Sequence, residues 1–197
     1  RRMTETLEAT EVGEEGEKGA SGTPPEPVDE IAQVAGPVGG LWVAHNGHGI
    51  CGSAFANLIT FARFREELHD RTGRPAARSD ALPDDLYDAI EHAFATGRRD
   101  ELTFDFESAT PFQQSVWEAC LSVPAGETRT YAEIATVIHR PNAVRAVGTA
   151  LGSNPIPVLV PCHRILRTDG SLGGYAFGEL VKQKLLDREA ERATAAA

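Results

Sequence analysis

The chain has 197 residues and a formal net charge of −10, a length that suits one domain or two small ones. Composition is that of a globular protein, with no apolar run of about eighteen residues to cross a membrane and no signal-peptide pattern at the start. Three cysteines, Cys51, Cys120 and Cys162, are too few and odd in number for a disulfide framework, which points to a reducing compartment.

The acidity is uneven. Residues 1–30 hold nine acids and three bases, residues 31–109 twelve and seven, and residues 110–197 eight and nine. The C-terminal part is therefore free to face a polyanion. Residues 1–37 are rich in Glu, Gly, Pro, Thr and Ser; with so few large apolar side chains they are predicted to be a disordered, acidic tail. Met3 is the only methionine, so either it is the natural start or the chain is a piece of a longer polypeptide.

Residues 38–108 are predicted to be a small α/β unit. Leu41-Trp42-Val43-Ala44 and Ile50-Cys51-Gly52-Ser53 flank His45-Asn46-Gly47-His48-Gly49, a hairpin signal. Leu86, Ile90, Ala93 and Phe94 place a helix over residues 83–96. Leu102, Phe104 and Phe106 alternate with polar residues, which predicts a half-buried strand. His45, His48 and Cys51 form a loose cluster, but the spacing matches no standard zinc pattern, and no metal is expected.

A new unit begins at Thr110. Thr110, Pro111 and Gln113 read as a capping box with proline at the first helical position, and Phe112, Val116, Ala119, Cys120 and Val123 mark one helical face. Trp117 and Cys120 are expected in the core. A second capping box, Thr130-Tyr131-Ala132-Glu133, opens a helix to about Ile138, and His139-Arg140-Pro141-Asn142 is a tight break. A third helix follows from about Ala143 to Gly152, with Ala143, Ala146, Val147, Ala150 and Leu151 as its apolar stripe and Arg145, Gly148, Thr149 and Gly152 outward. Two short helices across a short turn suggest a helix-turn-helix. One long cation among very small residues suits close approach to a DNA backbone.

Ile156 to Val160 is an apolar run predicted to be a buried strand that Pro161 must end. It delivers Cys162 with His163 beside it, and a thiol near a base is the simplest nucleophile at neutral pH. In the last helix Leu185 and Leu186 lie on the buried side and Glu189 follows; a carboxylate there needs a partner, and His163 is the candidate.

These segments together resemble a family. Thr-Pro-Phe-Gln-Gln at 110–114, Thr-Tyr-Ala-Glu-Ile-Ala at 130–135, Arg-Ala-Val-Gly at 145–148, Asn-Pro-Ile-Pro-Val-Leu-Val-Pro-Cys-His-Arg at 154–164 and Asp-Gly-Ser-Leu-Gly-Gly-Tyr at 169–175 are similar, in order and spacing, to the methylated-DNA–protein-cysteine methyltransferases, or O6-alkylguanine-DNA alkyltransferases. The likeness is to bacterial members and to the C-terminal part of the Ada response protein. It implies an α/β protein: a small ribonuclease-H-like N-terminal domain over residues 38–108, then a winged helix-turn-helix-like domain over residues 109–192, with residues 193–197 a flexible tail.

The resemblance also implies a chemistry. Cys162 accepts the alkyl group of O6-alkylguanine, and of O4-methylthymine, in one irreversible turnover without a cofactor. His163 acts on the thiol through a water, Glu189 orients His163, Asn154 shapes the turn, and Tyr131 supplies a proton or hydrogen bond to the leaving guanine. Arg145, Tyr131, Thr130, Ala143, Gly148 and Arg164 are the expected DNA contacts, made in the minor groove around a flipped base. Tyr175, Ala176, Phe177, Pro157 and Val160 are the expected alkylguanine pocket, narrowed by Phe177 so that methyl is favoured over bulky groups. The implied partner is double-stranded DNA and not a membrane, for a monomer in the cytoplasm that works at the nucleoid. Two other readings stay open on the residues alone: a damage sensor of the Ada kind, and a cysteine hydrolase with multiple turnovers.

Overall fold

The computed structural model describes residues 28–195. The acidic tail expected over residues 1–37 lies outside the described residues as far as residue 27. Beyond that the expectation is overturned, because β1 (Asp29–Gly36) is a strand. Its buried residues Ile31, Ala32 and Val34 are few, and averaging composition over the whole segment hid them.

β1 pairs antiparallel with β2 (Gly39–Asn46), which continues through the expected hairpin into β3 (Gly49–Phe55). A short parallel strand, β4 (Ala76–Arg78), joins the other side of β1, giving the order β3-β2-β1-β4. Between β3 and β4 runs α1 (Phe61–Thr72), opened by the Thr60 hydroxyl and closed by Gly73 at φ 70°. Sequence reasoning missed α1, whose only buried side chains are Phe64 and Leu68, too few to give a clear periodicity. They pack with Ile31, Trp42, Ala44, Cys51 and Ala54 on one face of the sheet.

The other face, with Leu41, Val43, Ile50 and Phe55, meets α2 (Asp84–Thr96), which matches the predicted helix. The same core continues into α3 (Pro111–Leu121), α4 (Tyr131–Val137) and α5 (Val144–Gly152), and ends on Leu185 of α6 (Glu179–Ala195). The sheet and the helices are thus one packed α/β body. A two-residue parallel pair, β5 (Arg129–Thr130) with β6 (Ile165–Leu166), lies beside the helices. Among the described residues no helix is long and apolar enough to cross a membrane.

Both capping boxes are present: Thr110 with Gln113 opens α3 and Thr130 with Glu133 opens α4. Each local cap of this kind contributes about 1 kcal/mol. Val116, Trp117, Ala119, Cys120 and Val123 are buried as expected, and the Trp117 ring N–H donates to the Ala150 carbonyl at 2.8 Å, tying α3 to α5.

Four expectations fail. The α5 stripe is narrower than predicted: Val147, Ala150 and Leu151 are buried but Ala146 is exposed and Ala143 half-buried, because α3 and α4 cover only one side of so short a helix. Residues 102–106 make a single bridge from Phe104 to Ile50 rather than a strand. Ile156–Val160 is buried but is no strand either. Pro155 and Pro157 have no N–H to give a ladder, and the segment turns back on itself at Val158, φ 73°, with the Val160 N–H on the Ile156 carbonyl. Finally, residues 193–195 belong to α6 rather than to a tail, while residues 196–197 lie outside the described residues.

One polar staple holds the sheet end together. Asp29 is fully buried and accepts from Arg74 at 3.0 Å and Asn46 at 2.8 Å. Asp105 accepts from the same two side chains at 2.8 and 2.9 Å. Removing Arg74 strands two buried carboxylates, so Arg74→Ala should lower stability by about 3–5 kcal/mol in urea denaturation; a loss under about 1 kcal/mol, the value of an exposed pair, contradicts this role.

Candidate active site

The segment after α5 is held by its carbonyl oxygens, since its prolines cannot donate. On β3, the Ser53 N–H donates to the Pro155 carbonyl at 2.9 Å and the Ser53 hydroxyl to the Pro157 carbonyl at 2.7 Å. Arg99 donates to the Val158 carbonyl at 3.1 Å. Asn154 closes the turn from within: its side-chain oxygen accepts from the Ile156 N–H at 2.9 Å and its amide donates to the Val160 carbonyl at 3.0 Å. The same amide lies 3.0 Å from Cys162 Sγ. Asn154 therefore both builds the turn and supports charge on the sulfur.

A single 3-10 turn, Cys162–Arg164, follows and places three consecutive side chains in three different surroundings. Cys162 borders a cavity, and His163 and Arg164 are fully buried. Burial pushes the Cys162 thiol up; the Asn154 hydrogen bond, the Lys182 charge and the backbone N–H groups of Cys162 and His163 pull it back only in part. The resting sulfur is a protonated thiol that needs a base.

That base has a fixed orientation. His163 Nε2 lies 3.0 Å from Glu189 Oε1. Arg164 clamps the same carboxylate with two arms, at 2.9 and 2.8 Å, and donates to the Val123 carbonyl. Burial alone would raise the Glu189 carboxyl, but the hydrogen bonds from His163 and Arg164 outweigh it and hold the group well below the usual carboxylate range. An ionised carboxylate only accepts, so Nε2 carries the proton and Nδ1 offers its lone pair. Nδ1 is buried without a hydrogen-bond partner among the described residues. Burial also pushes the His163 imidazole down, with Glu189 opposing only in part, so the ring rests neutral.

The cavity beside Cys162 has a volume of about 590 Å³. Tyr131, Arg145, Gly148, Pro157, Tyr175, Ala176 and Phe177 line it together with Asn154, which brings most of the expected site residues to one place. Burial raises the Tyr131 hydroxyl, keeping it a proton donor at neutral pH. Gly173 sits at φ 67°, where a Cβ would come 2.7 Å from the Tyr131 hydroxyl, so only glycine fits beneath that ring. Phe177 is fixed edge-on between Phe55 and Tyr175, with centroids at 4.9 and 5.8 Å. Arg145 and Thr149 are exposed on α5, and Ala143 precedes its first turn. The Thr130 hydroxyl is taken up by the α4 cap.

Two expected site residues are misplaced by sequence reasoning. Arg164 is 1% exposed and committed to Glu189 and Val123, so it does not meet DNA. Val160 is fully buried and does not line the cavity; the reversal at Val158 turns it into the core. His45 and Cys51 also part company: His45 lies by Leu86 and Ala89 of α2, Cys51 packs against α1 on the opposite face, and His48 is exposed. Among the described residues no three His, Cys, Asp or Glu side chains are grouped to hold a metal.

Lys182 was missed altogether. It is 1% exposed and its Nζ donates to the Ile165 carbonyl at 2.6 Å and to the Leu172 carbonyl, fastening the 169–178 loop to β6. The signal was available: Lys182, Leu185 and Glu189 share one helical face by their spacing.

His163 and Glu189 both bind protons less readily when folded, so stability falls on acidification. His163 contributes the loss below about pH 6.5 and Glu189 that below about pH 4.3. Glu189→Gln leaves Arg164 buried and unpaired, so it should be about 3 kcal/mol less stable at neutral pH. Its acid limb should also be shallower in denaturation measured across pH; an unchanged limb contradicts the assignment.

The comparisons with known proteins meet this geometry. The family model for the 6-O-methylguanine DNA methyltransferase DNA binding domain matches residues 111–191. The chain is 40% identical over 165 residues to the methylated-DNA–protein-cysteine methyltransferase of Mycobacterium tuberculosis H37Rv, covering 81% of this chain and 91% of that one. It is 49% identical over 82 residues to the bifunctional transcriptional activator/DNA repair enzyme Ada of Escherichia coli K12, covering 42% and 23% respectively. A crystal structure of Mycobacterium tuberculosis OGT in complex with DNA superposes with a TM-score of 0.67 at 35% identity, covering 83% of this chain and 94% of that chain. Likeness of this extent, over the sheet as well as the helices and across the thiol-bearing turn, means that the chain belongs to the methylated-DNA–protein-cysteine methyltransferases.

Proposed function

We propose that this chain repairs DNA by direct reversal, moving the alkyl group of O6-alkylguanine to Cys162. The observation that carries the reading is one constellation: Asn154 and Cys162 at the wall of the cavity, in contact through the Asn154 amide, with the buried His163 next in the chain and paired to Glu189. The Cys162 thiol gives its proton, through one water, to Nδ1 of His163. The sulfur then attacks the carbon on O6; the S–C bond forms, the C–O6 bond breaks, and its electron pair stays on the guanine. Tyr131 supplies a proton or hydrogen bond to that leaving purine. Glu189 keeps Nε2 protonated throughout, the role of an orienting carboxylate. The product is a thioether, and no group at the site can return the thiol, so each molecule acts once.

The target carbon is out of reach inside a duplex, and flipping the base costs a few kcal/mol. α4 and α5 form the helix-turn-helix of a winged C-terminal domain over residues 109–192, and residues 38–108 with β1 form a ribonuclease-H-like domain. The exposed outer side of α5, with Arg145 among Gly148, Thr149 and Gly152, enters the minor groove, and Arg145 fills the space the base leaves. Ala143, Thr130 and Tyr131 flank that contact. Phe177, wedged by two aromatic rings, narrows the pocket and favours methyl over benzyl. O4-methylthymine presents the same kind of carbon and is the second substrate. The protein works as a monomer, in the cytoplasm, on double-stranded DNA.

Intact mass after mixing with a duplex carrying one O6-methylguanine should rise by a single methyl, mapped to Cys162, and stop at one equivalent. Cys162→Ser should gain nothing. Arg145→Ala should slow transfer by about tenfold or more on duplex but not on single strands, since only the duplex requires flipping. Turnover beyond one equivalent, or a methyl on another residue, contradicts the reading.

A further inference from the structure

A second cavity, of about 400 Å³, lies behind the His163–Glu189–Arg164 group and shares no lining residue with the alkyl pocket. Four guanidinium groups border it, those of Arg99, Arg164, Arg188 and Arg192, against one carboxylate, Glu189. Only Arg164 among the four has an ion-pair partner among the described residues, and Glu189 is already spent on it and on His163. The remaining walls include Phe94, Val158 and Leu185, so the space is apolar as well as cationic.

Arg99 is the least satisfied of the set. Its Nη atoms donate to the carbonyls of Gly97 at 2.8 Å and Val158 at 3.1 Å, while Nε is buried without a partner. Burial, and then the like charge of Arg164, bring it down to about 9. A half-buried guanidinium without a counter-charge is costly to desolvate, and Arg99 borders the cavity. Arg188 and Arg192 stand exposed at the rim, reaching the Pro37 and Phe94 carbonyls. The C-terminal turn of α2 also borders the cavity; there the Ala93 carbonyl accepts from the Gly97 N–H and the Phe94 carbonyl from Arg192, so the guanidinium groups must outweigh its remaining carbonyls.

We infer that this cavity binds a small organic oxyanion, a carboxylate or phosphate monoester on an apolar body, with its charge against Arg99 and its body on Phe94 and Leu185. Guanidinium forks suit both oxyanions. The site has a consequence for the chemistry, which rests on the alkyl-transfer reading. The charges of Arg164 and Arg99 both make His163 a weaker base. An anion beside Arg99 offsets them, so His163 takes the thiol proton more readily and transfer quickens.

Binding is tested apart from activity. Phenyl phosphate and benzoate, with benzyl alcohol as the neutral control, are titrated into the whole chain by calorimetry at constant ionic strength. The expected result is saturable binding of at least one anion with a Kd of about 1 mM or tighter, none of the alcohol, and weakening of about tenfold or more in Arg99→Gln. The double variant Arg188→Gln/Arg192→Gln changes only exposed rim side chains and should weaken binding as well, which keeps the test open if Arg99→Gln fails to fold. No saturable binding, equal binding of the alcohol, or equal binding by both variants overturns the site. Binding without any change in the rate of methyl transfer overturns the coupling to His163 and leaves the site standing.

Discussion

The Glu189 carboxylate is the point on which the active region depends. It receives a hydrogen bond from His163 and two from Arg164, and so fastens α6 to the 3-10 turn that carries Cys162. A buried charge cluster is weak as a source of stability, because desolvation consumes most of the Coulombic gain. Its value here is geometric. Arg164 keeps the carboxylate ionised even if His163 changes charge, and an ionised carboxylate can hold only one tautomer of the ring. Lys182 reinforces the arrangement from two turns earlier on the same face of α6, by pinning β6 and the loop before Tyr175 to that helix.

The N-terminal sheet is part of this construction rather than an appendage. The outer edge of β3 is shared by two irregular segments: Thr103–Asp105 bonds to Ile50, and Pro155 and Pro157 accept from Ser53. Neither segment is a strand, yet together they cover an edge that would otherwise be open to pairing. The proline-rich segment offers carbonyls and few N–H groups, so Ser53 and Arg99 donate from outside it and the Asn154 side chain from within. The thiol is thus positioned by a loop that is rigid without belonging to a sheet. The cavity ringed by arginines lies on the other side of that loop, through Arg99 and Val158, which is how events there can be felt at His163.

What could be read in the sequence was what depends on near neighbours. The boxes at Thr110 and Thr130, the hairpin around Asn46-Gly47 and the pairing of Cys162 with His163 are local, and they were legible. The His163–Glu189 contact spans 26 positions, and it was found because an acid on an apolar helical face needs a partner. Arg164 is misplaced because the resemblance alone put it among the DNA contacts, when the same rule for buried charge applies to it. The Ile156–Val160 run was apolar enough for a strand, but its prolines were read only as boundaries and not as missing donors. Ala146 shows the limit of periodicity: it says which side chains are apolar, while neighbouring elements decide which of them are covered. β1 is not legible because its few apolar residues, Ile31, Ala32 and Val34, are buried on both faces of the sheet without a clean alternation and sit beside an acidic tail.

All of this chemistry requires that His163 be held as the neutral Nε2-protonated tautomer with Nδ1 free to take the thiol proton. The most direct measurement is the nitrogen chemical shifts of the His163 ring by NMR at neutral pH, in the unreacted protein. A protonated Nε2 bonded to Glu189 and an unprotonated Nδ1 are expected. A proton on Nδ1, or an imidazolium at neutral pH, would contradict that tautomer.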